Sequence, residues 1–101
     1  MAFARIALFP GGTEEHHRAV VEALGESHVD PAGRILFAAG PTPDGWQILQ
    51  VWDTRETLEA WVQANLGQAF ARVGNRGYPA PPRITDFELS DLLVAAPLAA
   101  G

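Results

Sequence analysis

The chain opens on an apolar run, Ala2–Phe9 (AFARIALF), whose length and composition predict a strand. Pro10-Gly11-Gly12 ends it, because proline lacks an amide donor and glycine adopts dihedrals that break regular structure. Thr13 then reads as a helix N-cap, with Glu14 and Glu15 suited to the positive end of the first turn. The helix is expected to run to about Ser27, with Val20, Val21 and Leu24 at helical spacing and Ala23 beside them. Asp30–Gly33 is a turn, Arg34–Ala39 (RILFAA) a short strand, and Gly40–Gly45 a connector rich in glycine and proline. Trp46–Trp52 (WQILQVW) returns as the second strand of a hairpin. Asp53 or Thr54 caps the next helix, which presents Leu58, Trp61, Val62 and Leu66 on one face. Gly67 is a candidate interruption, with Gln68–Val73 continuing for a further turn or two. Gly74–Pro82 is a loop, Arg83–Leu89 the last strand, and Asp91–Gly101 a tail of small and apolar residues.

The order β-α-β-β-α-β is the ferredoxin-like arrangement, an α+β fold with an antiparallel sheet and helices on one face. The expected division is one domain over residues 1–91 and a tail over 92–101, flexible or laid against a partner. A chain this short has no third layer for the open sheet face, which predicts a homodimer in which two sheets meet and close a barrel. Period-two alternation separates the faces of each strand. Phe3, Arg5, Ala7 and Phe9 oppose Ala4, Ile6 and Leu8, while Trp46, Ile48, Gln50 and Trp52 oppose Gln47, Leu49 and Val51. The purely apolar faces are expected against the helices. The mixed faces, carrying Arg5, Trp46, Gln50, Trp52 and either Asp86 or Glu88, are then expected on the opposite surface. A one-residue change of register exchanges the last two.

Composition narrows the chemistry. The 101 residues are 48% hydrophobic, enough for one globular core. There is no cysteine, so disulfides, thiolate catalysis and cysteine-bound metals are excluded. Twelve acidic against seven basic residues give a net charge of −5, which argues against nucleic acid as a partner. Residues 1–12 lack the apolar run of a signal peptide or membrane span, so the expected compartment is the cytoplasm.

Three tryptophans in so short a chain are the most unusual feature. Trp46, Trp52 and Trp61 read either as core and interface packing or as an aromatic wall around a flat ligand. Arg5, set among apolar residues, requires a carboxylate (Asp86 or Glu88) or an anionic ligand. His16 and His17 are adjacent on a helix and point about 100° apart, so they do not readily grip one metal. His17, or His28 held by Asp30, is a candidate general base, since an ordinary imidazole titrates near neutrality. Arg72, Arg76 and Tyr78 lie near the long loop, either solvated or beside an entrance. Pro10-Gly11-Gly12 matches no phosphate-binding pattern, and no serine sits in a nucleophile elbow.

Gly45-Trp46, Val51-Trp52-Asp53-Thr54-Arg55-Glu56, Leu58–Leu66 and Gly67-Gln68-Ala69-Phe70 form a set of segments. Together they resemble the dimeric α/β-barrel superfamily, in particular small proteins related to antibiotic-biosynthesis-monooxygenase-like domains. The resemblance spans roughly residues 2–90. It implies a cofactor-independent monooxygenase, cyclase or isomerase acting on an aromatic or polyketide-like molecule in a barrel pocket. The alternative is a non-enzymatic homodimer that binds a small ligand or serves as a scaffold. Many members carry a histidine where this chain has Trp61, and often another near Gly67 or Gln68; their absence removes the obvious haem ligand, so no cofactor is expected. On this reading Arg5, Asn65, His17 and His28 are the candidate catalytic residues. Trp46, Gln50, Trp52, Trp61, Phe70 and Glu88 are the candidate substrate-binding residues.

Overall fold

The apolar run at the start of the chain becomes β1 (Phe3–Pro10), an inner strand of a four-stranded antiparallel sheet in the order β2-β3-β1-β4. This computed structural model describes residues 2–95. The other strands are β2 (Arg34–Thr42), β3 (Gly45–Trp52) and β4 (Arg83–Glu88). Helix α1 (Glu14–Leu24) crosses from β1 to the edge strand β2. It starts on a capping box in which His16 takes the place usual for glutamate. The Thr13 amide donates to His16 Nδ1 at 3.1 Å, and the Thr13 hydroxyl accepts from the His16 amide. Gly25, at a φ of +58°, ends α1 eleven residues after it begins, and a short α2 (Glu26–Val29) follows.

The expected irregular connector at 40–45 is mostly strand. β2 continues through Pro41 to Thr42 and β3 begins at Gly45, leaving a turn at residues 43–44. An edge strand tolerates the proline because no neighbour needs its missing donor on the outer side. Gly67 does not interrupt the second helical segment. α3 (Arg55–Trp61) passes through a π-helical stretch, Val62–Leu66, into α4 (Gly67–Val73). Thr54 caps α3 by accepting from the Thr57 amide at 3.1 Å.

The expected assignment of sheet faces is inverted. Phe3 and Trp52 pack with Leu58 and Trp61 of α3, so the mixed face of β1 and β3 lies under the helices. The reason is the size of the side chains involved. Phe3, Phe9, Trp46 and Trp52 carry far more apolar area than the Ala4–Ile6–Leu8 set, and burying them decides the face. Register settles the acidic partner: Arg5 lies opposite Gln50 on one side and Asp86 on the other, while Glu88 lies opposite Phe3. The face away from the helices is consequently apolar, with Ile6, Leu8 and Leu49 half-buried on it, Val51 buried, and Leu36 and Phe87 both more than two-fifths exposed. Residues 91–95 have no regular structure, and residues 96–101 of the expected tail lie outside the described residues. Among the described residues no helix is long and apolar enough to cross a membrane.

Candidate functional site

The helices do not fill the layer they share with the sheet. A pocket of about 180 Å³ remains over the middle of β1 and β3. Its floor is Ala7, Phe9, Ile48 and Gln50, with Phe37 at one side and Ile84 at the other. Val20 and Leu24 of α1 and Val62 and Leu66 of the π-helical stretch form the roof. A π-helical turn widens the helix and re-aims successive side chains, and here it turns both Val62 and Leu66 toward this space.

The polar groups of the pocket are few. His17, on the sheet-facing side of α1, has Nδ1 3.0 Å from the Tyr78 hydroxyl. Its ring is 5.1 Å from Trp46, lies parallel to Phe37 at 6.0 Å, and is 6.4 Å from His28. Burial lowers the His17 pKa below its ordinary 6.5, and Glu14, one turn earlier, opposes that only in part. His28, in α2, is also lowered, first by burial and then by the charges of Arg34 and His17. Both rings are therefore neutral near pH 7, able to accept a proton. Burial pushes the Tyr78 phenol up, so it stays protonated as well.

Asp30 makes no hydrogen bond to His28 among the described residues; His28 Nδ1 is buried without a partner. Arg34 is its neighbour instead. The Arg34 guanidinium donates to the His28 carbonyl and lies 4.9 Å from the Phe37 ring and 5.7 Å from the Trp61 ring. Gln50 is only 8% exposed and its Oε1 accepts from Trp52 Nε1 at 3.0 Å, so its –NH2 is the remaining hydrogen-bonding capacity of a buried amide at the pocket floor.

Arg5 reaches the pocket wall but is already engaged. Nε and Nη2 donate to the two Asp86 oxygens, both at 2.8 Å, and Glu59 lies 3.7 Å away. Donating these hydrogen bonds to Asp86 raises the Arg5 pKa, and accepting them holds the Asp86 carboxyl below its usual range. A guanidinium facing two carboxylates presents no net positive charge to a ligand.

Of the residues singled out in the sequence, Arg5, His17, His28, Gln50, Trp61 and Phe70 converge on this pocket. The others sit elsewhere. Trp52 is fully buried behind Trp61, their rings 5.6 Å apart, as core. Trp46 lies beneath His17, with its indole nitrogen buried and unpartnered. Asn65 donates back to the Trp61 carbonyl at 3.3 Å and does not line the pocket. Glu88 is exposed near the end of β4. Tyr78, read in the sequence as solvated or beside an entrance, lines the pocket and meets both His17 and Phe9. Sequence reading missed Arg34, which gave no signal beyond its place at a strand end and holds the His28 carbonyl beside the pocket. Among the described residues no three histidine, aspartate or glutamate side chains converge as a metal site.

No protein-family model and no curated protein matches the sequence. Solved structures do match, and several of them carry the name of antibiotic biosynthesis monooxygenase. One of these, from Chloroflexus aurantiacus, is 17% identical with a TM-score of 0.68, covering 93% of this chain and 98% of its own. A protein from Mycobacterium tuberculosis is 18% identical with a TM-score of 0.70, covering 93% of this chain and all of its own. A monooxygenase of Streptomyces coelicolor, solved with the ligand nanaomycin D, is 16% identical with a TM-score of 0.56, covering 94% of this chain and 92% of its own. At these identities the likeness is one of fold: a ferredoxin-like α+β sheet of the kind found in those proteins.

Proposed function

We propose that the protein is a monooxygenase that uses no bound redox cofactor and acts on a hydroxylated aromatic molecule held between the sheet and the helices. The observation that carries this reading is an apolar pocket with a neutral histidine, His17, anchored by the Tyr78 hydroxyl in its wall. With Nδ1–H donating to Tyr78, Nε2 of His17 carries the lone pair that takes a phenolic proton. The resulting phenolate is electron-rich enough to reduce O2 directly. One oxygen atom then forms a new carbon–oxygen bond on the ring. The O–O bond breaks, and the second oxygen leaves as water with the phenolic proton and the displaced ring hydrogen. A phenol and O2 thus give a quinone and water. A pocket of about 180 Å³ has room for the substrate ring but not for a haem or flavin beside it. The structural neighbours that carry the monooxygenase name support the same reaction class.

The test is oxygen uptake by the purified protein with a panel of methoxyphenols and hydroquinones. Consumption of one O2 per quinone formed, above the rate without protein, is the expected result. Binding of these phenols with no uptake would remove the oxygenase assignment and leave a ligand-binding protein.

The uncovered sheet face belongs to the same reading. Its apolar row, from Leu36 across Leu49 and Ile6 to Phe87, closes against the same face of a second copy. Sedimentation equilibrium is expected to give the mass of two chains for the wild type and of one chain for Phe87→Glu. A wild-type monomer would contradict it.

A further inference from the structure

Tyr78 separates two spaces. On one side is the pocket of about 180 Å³. On the other is a groove of about 430 Å³ between the end of α4 and the loop over residues 77–82. Phe9, Phe70, Tyr78 and Pro82 line both. Phe9 belongs to the sheet floor and Phe70 to α4, whereas Tyr78 stands in an irregular loop with its ring in the partition. The ring is stacked on Phe9 at 3.7 Å and 15°, and meets Phe70 edge-on at 6.4 Å. Its hydroxyl is held by His17. Gly12 leaves the room: a Cβ there would come within 2.9 Å of Tyr78 Cδ1.

We infer that Tyr78 is the specificity-determining wall of the pocket, restricting it to ligands of a single uncharged aromatic ring. The inference rests on the reading of the pocket as a site for hydroxylated aromatics and adds which of them enter. Size is the first argument, since a dry apolar cavity of about 150 Å³ takes a benzene. The present pocket is only slightly larger, so one ring with small substituents fills it and a fused second ring meets Tyr78. Charge is the second. Arg5 is neutralised by Asp86 and Glu59, and both histidines are neutral, so nothing in the wall compensates a carboxylate. The chain itself displays the binding mode: the Tyr78 phenol lies flat on Phe9 with its oxygen on His17. Removing that side chain leaves a slot of a phenol's shape, continuous with the pocket, for a second ring.

Calorimetric titration with 4-methoxyphenol and 1-naphthol tests this. Without a wall, 1-naphthol binds more tightly because it buries more apolar area. With the wall, the wild type is expected to bind 4-methoxyphenol at least about 10-fold more tightly than 1-naphthol, the scale on which apolar pockets reject added bulk. Tyr78→Phe keeps the ring and keeps that order. Tyr78→Ala reverses it, and 1-naphthol gains about 10-fold or more over its wild-type affinity. Benzoate binds none of the three. A wild type that takes 1-naphthol as well as 4-methoxyphenol overturns the inference, whether or not Tyr78→Ala folds. So does a folded Tyr78→Ala with an unchanged ratio, while the proposed function stands in both cases. Failure of every phenol to bind removes the proposed function instead, and this inference with it.

Discussion

Trp52→Ala is expected to be the most destabilising single substitution in the chain. Trp52 has no solvent exposure and packs against Phe3, Leu58 and Trp61, joining the sheet to α3. Truncating a buried tryptophan to alanine removes about 3–5 kcal/mol through lost apolar burial and the cavity left behind. A second loss follows from chemistry. Without the indole N–H, the buried oxygen of Gln50 has no donor, at a further cost of about 1–3 kcal/mol. Small domains have only about 5–15 kcal/mol in total, and those of this size sit toward the lower end. Thermal denaturation followed by circular dichroism is therefore expected to fall by about 15 °C or more, or to lose its cooperative transition. Trp52→Phe retains an aromatic ring and loses less. A fall under about 5 °C for the alanine variant would mean that this cluster is not the centre of the core.

His17→Gln is expected to have the largest effect on turnover. The variant keeps a polar side chain beside Tyr78 but has no group that takes up a proton near neutral pH. Loss of a general base costs about a hundred- to ten-thousand-fold in rate. The pH profile separates this from a general weakening of the pocket. The base acts in its neutral form, so the rate rises with pH as His17 loses its proton and is level above. Because burial lowers that pKa, the rising limb lies below 6.5 in the wild type. Glu14 pulls the value back upward without cancelling the shift. Arg34 acts on His28 and pushes it the same way as burial. His17→Gln is expected to lose the limb together with the rate, whereas His28→Gln retains the limb. A His17→Gln enzyme with wild-type turnover and an unchanged limb would move the base elsewhere.

The elements of the fold were legible because each carries its own local signal. The run Ala2–Phe9, the Thr13 cap and the alternation through Trp46–Trp52 name a strand, a helix start and a strand without reference to anything distant. Which face of the sheet meets the helices was not legible. Alternation sorts Phe3, Arg5, Ala7 and Phe9 from Ala4, Ile6 and Leu8, but the choice between the sets is made by total buried area, in which the aromatics outweigh one arginine that has a carboxylate partner. Arg5 on the covered side looked costly only because its partner was unplaced, and the register that sets Asp86 opposite it is a long-range fact.

The candidate site was half legible for the same reason. His17 and His28 stand out as titratable groups beside apolar helix positions, and the pocket gathers them. Asn65 was a candidate through the family resemblance, yet the π-helical stretch spends its amide on the Trp61 carbonyl. Tyr78 is sixty-one residues from His17, in a loop whose proline-rich sequence gives no periodicity to orient a side chain. Only the folded chain brings the two together.

The most direct test of the central claim is where a phenol binds, read during titration with 4-methoxyphenol from the imidazole nitrogen resonances of the three histidines together with the side-chain carbon resonances of Leu36 and Phe87. The predicted result is a saturable change at His17 and His28, with His16, which caps α1 through Thr13, and the open-face residues Leu36 and Phe87 unmoved. Saturable changes confined to Leu36 and Phe87, with His17 and His28 silent, would contradict it and place the ligand on the uncovered face of the sheet.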